Sequence, residues 1–369
     1  GTTVFELVKL SACAVMVLLL NWGLLGVIAS VVVAYLAQTV ALLLVLHSFI
    51  TGAFDFKAVR TWLSRIWVPL FQQIPEVPNQ LLYILPAAWL GSTYPVALMT
   101  VPRIFSSAVK YSSFMTVGLT PKLLSGAGGS RDVEVVLKMV LMLAIPATLA
   151  VVILAQPLLY MLRPEYVGAA PILIVMVIGS LTASLTAVPR SLLMGIEDVE
   201  VRPGASFKDF LKSKHCFIPL LTFTSSTASL LILAAMILLY FHVEMSYETL
   251  IFLYCLASLL AAELPLRAYL WYLAYRSLAF KFPYGSLLKY VGASMVMVLV
   301  VYATYPSSVF NYVSVFDVVA ALLPTVVLGT LSYVLTLLAI DEESRQLASL
   351  AIKELSRPLE ATVERLTGA

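Results

Sequence analysis

The sequence predicts an all-α membrane protein with about ten transmembrane helices arranged in hairpins. Of its 369 residues, 61% are hydrophobic and only 12% are charged, and the mean hydropathy is +0.98. Soluble globular domains are about half apolar and about a quarter charged, so most of these side chains must be surrounded by lipid or by other membrane helices. The net charge of +3 gives no indication of a nucleic-acid partner.

Ten apolar runs of about 20 residues, the length that crosses a bilayer, define the predicted helices. They lie approximately at 4–22, 24–50, 64–90, 94–121, 138–161, 169–195, 216–242, 248–274, 287–306 and 318–340. Most joints between the runs are short and contain turn residues such as Gly23, Gly91 and Pro164. Alternate joints are longer and more polar, so the chain is expected to form five hairpins.

Two further segments have the pattern of amphipathic helices that lie on a membrane surface. In the segment 341–369, leucines such as Leu347, Leu355 and Leu359 recur at roughly helical spacing among charged residues. The segment 55–66 alternates apolar and charged residues in a similar way. We expect both segments to lie along the membrane and not across it.

The lysine and arginine residues predict the orientation, because cytoplasmic loops of membrane proteins are enriched in them. Eighteen of the 23 fall in one alternating set of joints and ends: Lys9, Lys57, Arg60, Arg65, Lys122, Arg131, Lys138, Arg202, Lys208, Lys212, Lys214, Arg276, Lys281, Lys289, Arg345, Lys353, Arg357 and Arg365. The opposite set contains only Arg163, and the remaining four lie within the spans. We therefore predict a multi-pass protein of the cytoplasmic membrane with both ends on the cytoplasmic side.

The third predicted helix contains an unusual concentration of polar residues for a membrane span. These residues are spaced at i, i+1, i+4, i+7 and i+8, which places them along one face of a helix: Gln72, Gln73, Glu76, Asn79 and Gln80. Pro75 and Pro78 lie in the same stretch and should kink or loosen it, which frees backbone carbonyls. The sequence predicts a polar cavity that could couple to Na⁺ or H⁺ through Glu76; the alternative is polar packing against a neighbouring helix.

Cationic residues mark the fourth, sixth and eighth predicted helices. Arg103 and Lys110 are seven residues apart and therefore on one face, and serines flank them. Because Arg binds phosphate oxygens bidentately and Lys acts as a point charge, this face suits an anionic ligand. An internal pair of Arg103 with Glu76 is the alternative. Arg190 is a further candidate that could instead snorkel to the membrane surface.

Glu263 and Arg267 complete the set of ionisable residues within the predicted spans. They are spaced i, i+4 in the eighth helix, so they could pair with each other, and helix stabilisation by that pair is the simpler interpretation. We predict Arg103, Lys110, Arg190 and Arg267 as a substrate-binding cationic set. Glu263 joins Gln72, Gln73, Glu76, Asn79 and Gln80 as a polar or ion-coupling set.

No pattern typical of a catalytic site is present. The sequence lacks a Walker-type glycine-rich loop, a His-Glu-x-x-His run and a nucleophile elbow, and its three cysteines and three histidines do not have metal-ligand spacing. We expect a protein that is not an enzyme and that requires no cofactor beyond a possible coupling ion.

Three stretches carry a family resemblance. Residues 17–36 (VLLLNWGLLGVIASVVVAYL), residues 102–124 (PRIFSSAVKYSSFMTVGLTPKLL) and residues 158–195, which begin LLYMLRPEYVGAAP and end VPRSLLMG, occur in this order. The chain resembles the polysaccharide and oligosaccharide-lipid flippases of the multidrug/oligosaccharidyl-lipid/polysaccharide exporter superfamily. The resemblance covers most of the chain, through signatures that are individually degenerate.

The resemblance implies a fold and a division of the chain. Members of this superfamily typically have twelve or fourteen helices in two six-helix lobes. The resemblance aligns the start of this chain with their fifth helix, so the chain would lack the first four. Residues 1–54 would then be two helices from the end of the first lobe, 55–275 the second lobe, 276–340 an accessory helix pair and 341–369 the cytoplasmic tail.

The resemblance also implies alternating access by two lobes that rock around a central cationic cavity. The expected substrate is a polyprenyl- or dolichyl-diphosphate oligosaccharide whose lipid tail stays in the membrane lipid, and the expected state is a monomer. Three alternatives remain: an ion-coupled multidrug or organic-cation antiporter of the same superfamily, a polytopic membrane glycosyltransferase or polymerase, and a structural membrane subunit.

Overall fold

The protein is an all-α membrane helical bundle. The computed structural model describes residues 2–50, 56, 59, 63, 66–197, 207–312 and 314–346, and this part of the chain contains no β-strand. The chain divides by compactness into two units, Gly1–Trp67 and Val68–Ala369. The predicted surface segment 55–66 lies largely outside the described residues, and most of the tail 341–369 does so as well.

Fifteen α-helices are present in the described residues, and we number them in chain order. They are α1 Thr2–Ala14, α2 Gly23–Ile50, α3 Trp67–Gln72, α4 Glu76–Leu90, α5 Tyr94–Lys110, α6 Leu119–Leu124, α7 Ser130–Ile153, α8 Ala155–Leu162, α9 Ala170–Gly195, α10 Phe207–Lys212, α11 Lys214–Tyr240, α12 Tyr247–Ala257, α13 Leu264–Ser277, α14 Tyr284–Thr304 and α15 Val315–Ile340.

Seven helical stretches of the described chain are long and apolar enough to cross a membrane. These are Gly23–His47, Ser130–Ile153, Pro164–Gly195, Lys214–Tyr240, Tyr247–Ser277, Tyr284–Thr304 and Val315–Ile340. Each corresponds to one of the ten predicted spans, which confirms the all-α membrane fold. The other three predicted spans are interrupted helices, so the count of ten stays a prediction.

The interruptions have local causes. Pro75 has no N–H to donate, and around it the chain forms short turns in which the Glu76 N–H donates to the Gln73 carbonyl at 3.0 Å. After α5, the hydroxyls of Ser112 and Ser113 donate to the carbonyls of Val109 and Lys110, and the chain continues as a 3₁₀ helix. Breaks of this kind divide the third and fourth predicted spans into α3 with α4 and α5 with α6.

The first unit contains a hairpin of α1 and α2. Its helices are joined through a π-helical turn at Val15–Leu19 and through Asn21 and Gly23, both of which have positive φ angles. The rings of Phe5 and Tyr35 lie 4.7 Å apart across the hairpin. The first two predicted spans therefore form a hairpin of two apolar helices, although the end of α1 is irregular.

The second unit builds its centre from five helical stretches. Helix α4 packs against α5, α5 against α9, α9 against α13, and α11 closes the ring by packing both against α4 and against the π-helical segment Ser258–Glu263, which joins α12 to α13. Pro265 follows this segment and cannot donate to the carbonyl of Ala261, which removes one α-helical hydrogen bond. The ring encloses the cavity described below.

The last two long helices lie outside this ring: α14 packs on α7, and α15 packs on α14. The hydroxyl of Tyr333 in α15 donates to the Met142 carbonyl of α7 at 2.6 Å. Gly329 allows α15 to approach α14 closely, because a Cβ at this position would lie 2.5 Å from Val301 Cγ2. The pair α14 and α15 thus shares a hydrophobic core with α7 and the C-terminal half of α9.

A buried carboxylate fixes the end of this pair. Asp341 is only 2% exposed; it accepts hydrogen bonds from the Lys289 Nζ at 3.0 Å and from the Ser344 hydroxyl at 2.6 Å. Burial raises the pKa of the Asp341 carboxyl, but these hydrogen bonds more than offset it, so the pKa lies below its ordinary value. The carboxylate is therefore charged at neutral pH and holds α14 and α15 together.

An Asp341→Ala substitution is expected to lower the thermal unfolding midpoint of the detergent-solubilised protein. It removes the acceptor of Lys289 and Ser344, which costs about 1–2 kcal/mol. Because the folded-state pKa is lowered, this contribution is present above the unfolded-state pKa of about 4 and is lost as the pH falls through the folded-state pKa. The difference from the parent protein should therefore be constant between about pH 5 and 8, and a marked decline across that range would contradict the assignment.

Candidate functional site

The ring of helices in the second unit encloses a cavity of about 450 Å³. Its lining comes from α4, α5, α9, α11, α12, the π-helical segment and α13. This volume is within the range of small-molecule sites, which is about 300–1,000 Å³. The cavity lies wholly within residues 79–270, so its geometry is defined by this unit alone.

All four residues of the predicted cationic set line this cavity. We call Arg103, Lys110, Arg190 and Arg267 the cationic surface. Arg103 and Lys110 project from α5, Arg190 from α9 and Arg267 from α13, three helices that follow one another around the ring. Two helical turns separate Arg103 from Lys110, which is about 10 Å along the axis. The positive charges are therefore distributed over different depths of one cavity.

Arg103 is oriented by an aromatic ring. Its guanidinium carbon lies 5.4 Å from the centroid of Tyr83, a cavity-lining residue of α4. This is the geometry of a cation–π contact, which holds the charge without neutralising it. The alternative pairing of Arg103 with Glu76 is not what the structure has, since Arg103 forms no ion pair with any residue in the described part of the chain.

Arg267 is the one member of the cationic surface that has a carboxylate partner among the described residues. Its guanidinium pairs with Glu263, as the i, i+4 spacing predicts, and it also donates to the Gly179 carbonyl at 2.8 Å and to the Thr182 hydroxyl. Only 15% of the Arg267 side chain is exposed. The arginine therefore joins the end of the π-helical segment to α9, across the cavity wall.

The charge of the lining is unbalanced. Four cations and one carboxylate, Glu263, give a formal charge of +3. In the residues that the structure describes, Arg103, Lys110 and Arg190 have no ion-pair partner. Since an uncompensated charge at membrane depth costs several kcal/mol, about 2.5–3.5 on insertion scales, the arrangement suits a cavity that receives an anion.

The predicted polar set is largely separated from this cavity. The expected single face requires a continuous helix, but α3 ends at Gln72 and α4 begins at Glu76, so the five residues do not form one stripe; that expectation was wrong. Of these five residues only Asn79 lines the cavity, whereas Gln72, Gln73, Glu76 and Gln80 do not; Glu263, the sixth member of the set, lines it as well. Their role as a polar or ion-coupling set stays a prediction.

Sequence reasoning missed a second group of cavity-lining residues. Seven serine and threonine side chains, which we call the hydroxyl surface, are Ser180, Thr186, Thr222, Ser225, Ser226, Ser229 and Ser258. Four of them lie on α11 at i, i+3, i+4 and i+7, in the stretch TFTSSTAS. This spacing was the available signal, but serine and threonine are common inside membrane helices, where they hydrogen-bond to their own backbone.

Several of these hydroxyls hold the wall together. Ser225 donates to the Ala262 carbonyl of the π-helical segment at 3.0 Å, and Ser258 donates to the Ser229 hydroxyl at 2.8 Å. The Ala262 carbonyl of the π-helical segment thus receives its hydrogen bond from a side chain of the neighbouring helix α11. Helix α11 contributes no charged residue to the lining, so the cavity has an uncharged polar wall as well as its charged one.

Comparison of the chain with protein-family models, with curated proteins and with solved structures finds no match.

Proposed function

We propose that the protein is a transporter that moves a lipid-diphosphate-linked oligosaccharide across the cytoplasmic membrane by alternating access. The observation that carries the proposal is the cationic surface: four cations from three helices line one cavity, and three of them have no carboxylate partner in the described residues. A dedicated anionic ligand offsets the cost of keeping these charges within the spans.

The chemistry of the cations favours phosphate groups. Two or more arginine side chains offer planar, bidentate donors that match phosphate oxygens, and Lys110 adds a point charge. The backbone positions of Arg103 and Lys110 are about 10 Å apart along α5, so a ligand that moves along this face would contact the two cations in succession. Binding at successive depths is what translocation along the membrane normal requires.

The size of the cavity supports a ligand whose lipid part stays outside. A volume of about 450 Å³ accommodates a diphosphate and a sugar unit, but not a long polyprenyl or dolichyl chain as well. The surrounding spans are exposed to lipid on their outer faces, where the chain of the ligand could remain. The proposal places both ends of the protein on the cytoplasmic side, as the distribution of lysine and arginine predicts.

An organic-cation antiporter is the weaker candidate. A site for a cationic ligand requires a net negative lining, whereas this lining has a formal charge of +3. The one carboxylate present, Glu263, is already paired with Arg267.

Transport can be tested with the purified protein in lipid vesicles that contain a fluorescent short-chain polyprenyl-diphosphate sugar. Accessibility of the fluorophore to a membrane-impermeant reductant measures movement between the leaflets. We expect faster movement than in protein-free vesicles, and no acceleration for a neutral glycolipid with the same sugar and label. Equal acceleration of both lipids, or of neither, would contradict the proposal.

A further inference from the structure

Two serine hydroxyls at the cavity have no hydrogen-bond partner among the described residues. Ser180 of α9 is 2% exposed and Ser226 of α11 is 9% exposed, and both line the cavity. Within the described part of the chain, neither hydroxyl donates to or accepts from another group. Neither oxygen is among the fully buried side-chain atoms that lack a partner in the described residues, so each hydroxyl keeps access to the cavity.

Their neighbours behave differently. Thr222 donates to the Ile218 carbonyl of its own helix, Ser229 donates to the Ser225 carbonyl, and on α9 Thr186 donates to the Thr182 carbonyl. Backbone carbonyls are thus within reach of hydroxyls along both helices. Ser180 and Ser226 instead keep one donor and two acceptor positions each, at the wall of the cavity.

We propose that Ser180 and Ser226, together with the amide of Asn79, bind the sugar unit that is attached to the diphosphate. This inference rests on the proposed function and assigns the sugar to uncharged polar residues of the same cavity. The cationic surface binds the diphosphate, and the sugar lies between Ser180 of α9 and the helices α4 and α11, which contribute no charged residue to the lining.

The donor and acceptor properties of the wall favour a sugar over a second phosphate. Phosphate oxygens only accept hydrogen bonds, and the cations are their stronger donors. The ring hydroxyls of a sugar both donate and accept, as do the serine hydroxyls and the asparagine amide. A neutral wall of mixed donors and acceptors therefore complements a polyol, and the separation of charged and neutral walls matches the two parts of a glycosyl diphosphate.

The test compares the affinity of a diphosphate lipid with the affinities of three esters that each carry one sugar. The probes are farnesyl diphosphate and its glucosyl, galactosyl and N-acetylglucosaminyl esters, titrated against the full chain in detergent. We expect at least one ester to bind the parent protein more tightly than farnesyl diphosphate. In a Ser180→Ala/Ser226→Ala variant this advantage should fall about tenfold, the effect of two neutral hydrogen bonds, while the affinity for farnesyl diphosphate stays unchanged.

Thr227→Val is the matched control. Thr227 follows Ser226 on α11, and its buried hydroxyl also has no partner in the described residues, but it does not line the cavity. This variant should bind every probe as the parent protein does. An advantage that survives the double substitution, or is absent for all three esters, overturns the sugar assignment while leaving the diphosphate site intact. Failure of farnesyl diphosphate itself to bind overturns the proposed function as well.

Discussion

Alanine at Arg103 or at Lys110 is expected to reduce translocation of the diphosphate-linked sugar about tenfold to a hundredfold. Each substitution removes one charge-assisted interaction with phosphate, and such interactions contribute about 1.5–3 kcal/mol. Because the two residues lie at different depths on one face of α5, each would act on a different stage of the passage. The double substitution should abolish transport. The measurement is the leaflet-exchange rate of the fluorescent diphosphate lipid.

The control for this series is Arg276→Ala. Arg276 is an exposed cation near the end of α13 that does not line the cavity. Its loss changes the net charge of the protein by the same amount and should leave the rate unchanged. All variants should reach the membrane fraction in similar amounts, since removal of a charge from a span favours insertion. Transport at the parental rate by both single variants and by the double variant would exclude the cationic surface as the ligand site.

The substitution Arg267→Met is expected to destabilise the second unit by about 1–3 kcal/mol. The Arg267→Met substitution removes the donors to the Gly179 carbonyl and to Thr182, and it leaves the Glu263 carboxylate unpaired. Loss of one partner of a fully buried ion pair costs more, about 3–5 kcal/mol. Here 37% of the Glu263 side chain is exposed, so water reduces the penalty. The thermal unfolding midpoint in detergent measures the effect.

The double variant Glu263→Gln/Arg267→Met separates the cost of the lost Arg267 hydrogen bonds from the cost of the unpaired Glu263 carboxylate. It removes the unpaired carboxylate as well, so it should unfold at a higher temperature than Arg267→Met alone. Arg163→Met is the matched control, because Arg163 pairs with Glu165 at 4.0 Å on an exposed turn, where an ion pair contributes little. If the double variant is no more stable than Arg267→Met, the ion pair is not what joins the π-helical segment to α9.

Local sequence accounted for a large part of the fold. Seven spans, the interruption at Pro75 and the Glu263–Arg267 pair were each predictable, because each depends on residues within one or two helical turns or within one apolar window. The four cations could be singled out for the same reason, since a charge inside a span is conspicuous without knowledge of its neighbours.

The error on the third span has the opposite origin. The polar stripe assumed that helical periodicity continues through Gln73 and Ile74, whereas the missing N–H of Pro75 favoured short turns there. Periodicity describes a face only as far as the helix extends. Of the five residues placed on that face, the cavity includes only Asn79.

The sequence by itself determined that the chain is an all-α membrane protein and which ionisable residues lie within its spans, because hydropathy and charge are properties of single segments. Only the tertiary structure decided that Arg103, Lys110, Arg190 and Arg267 face one cavity and that the serines of α9 and α11 share it. Contacts between helices depend on which faces pack together around the ring, and no periodicity within one helix specifies its partner. The unpaired hydroxyls of Ser180 and Ser226 could be recognised only once every neighbouring carbonyl had been placed.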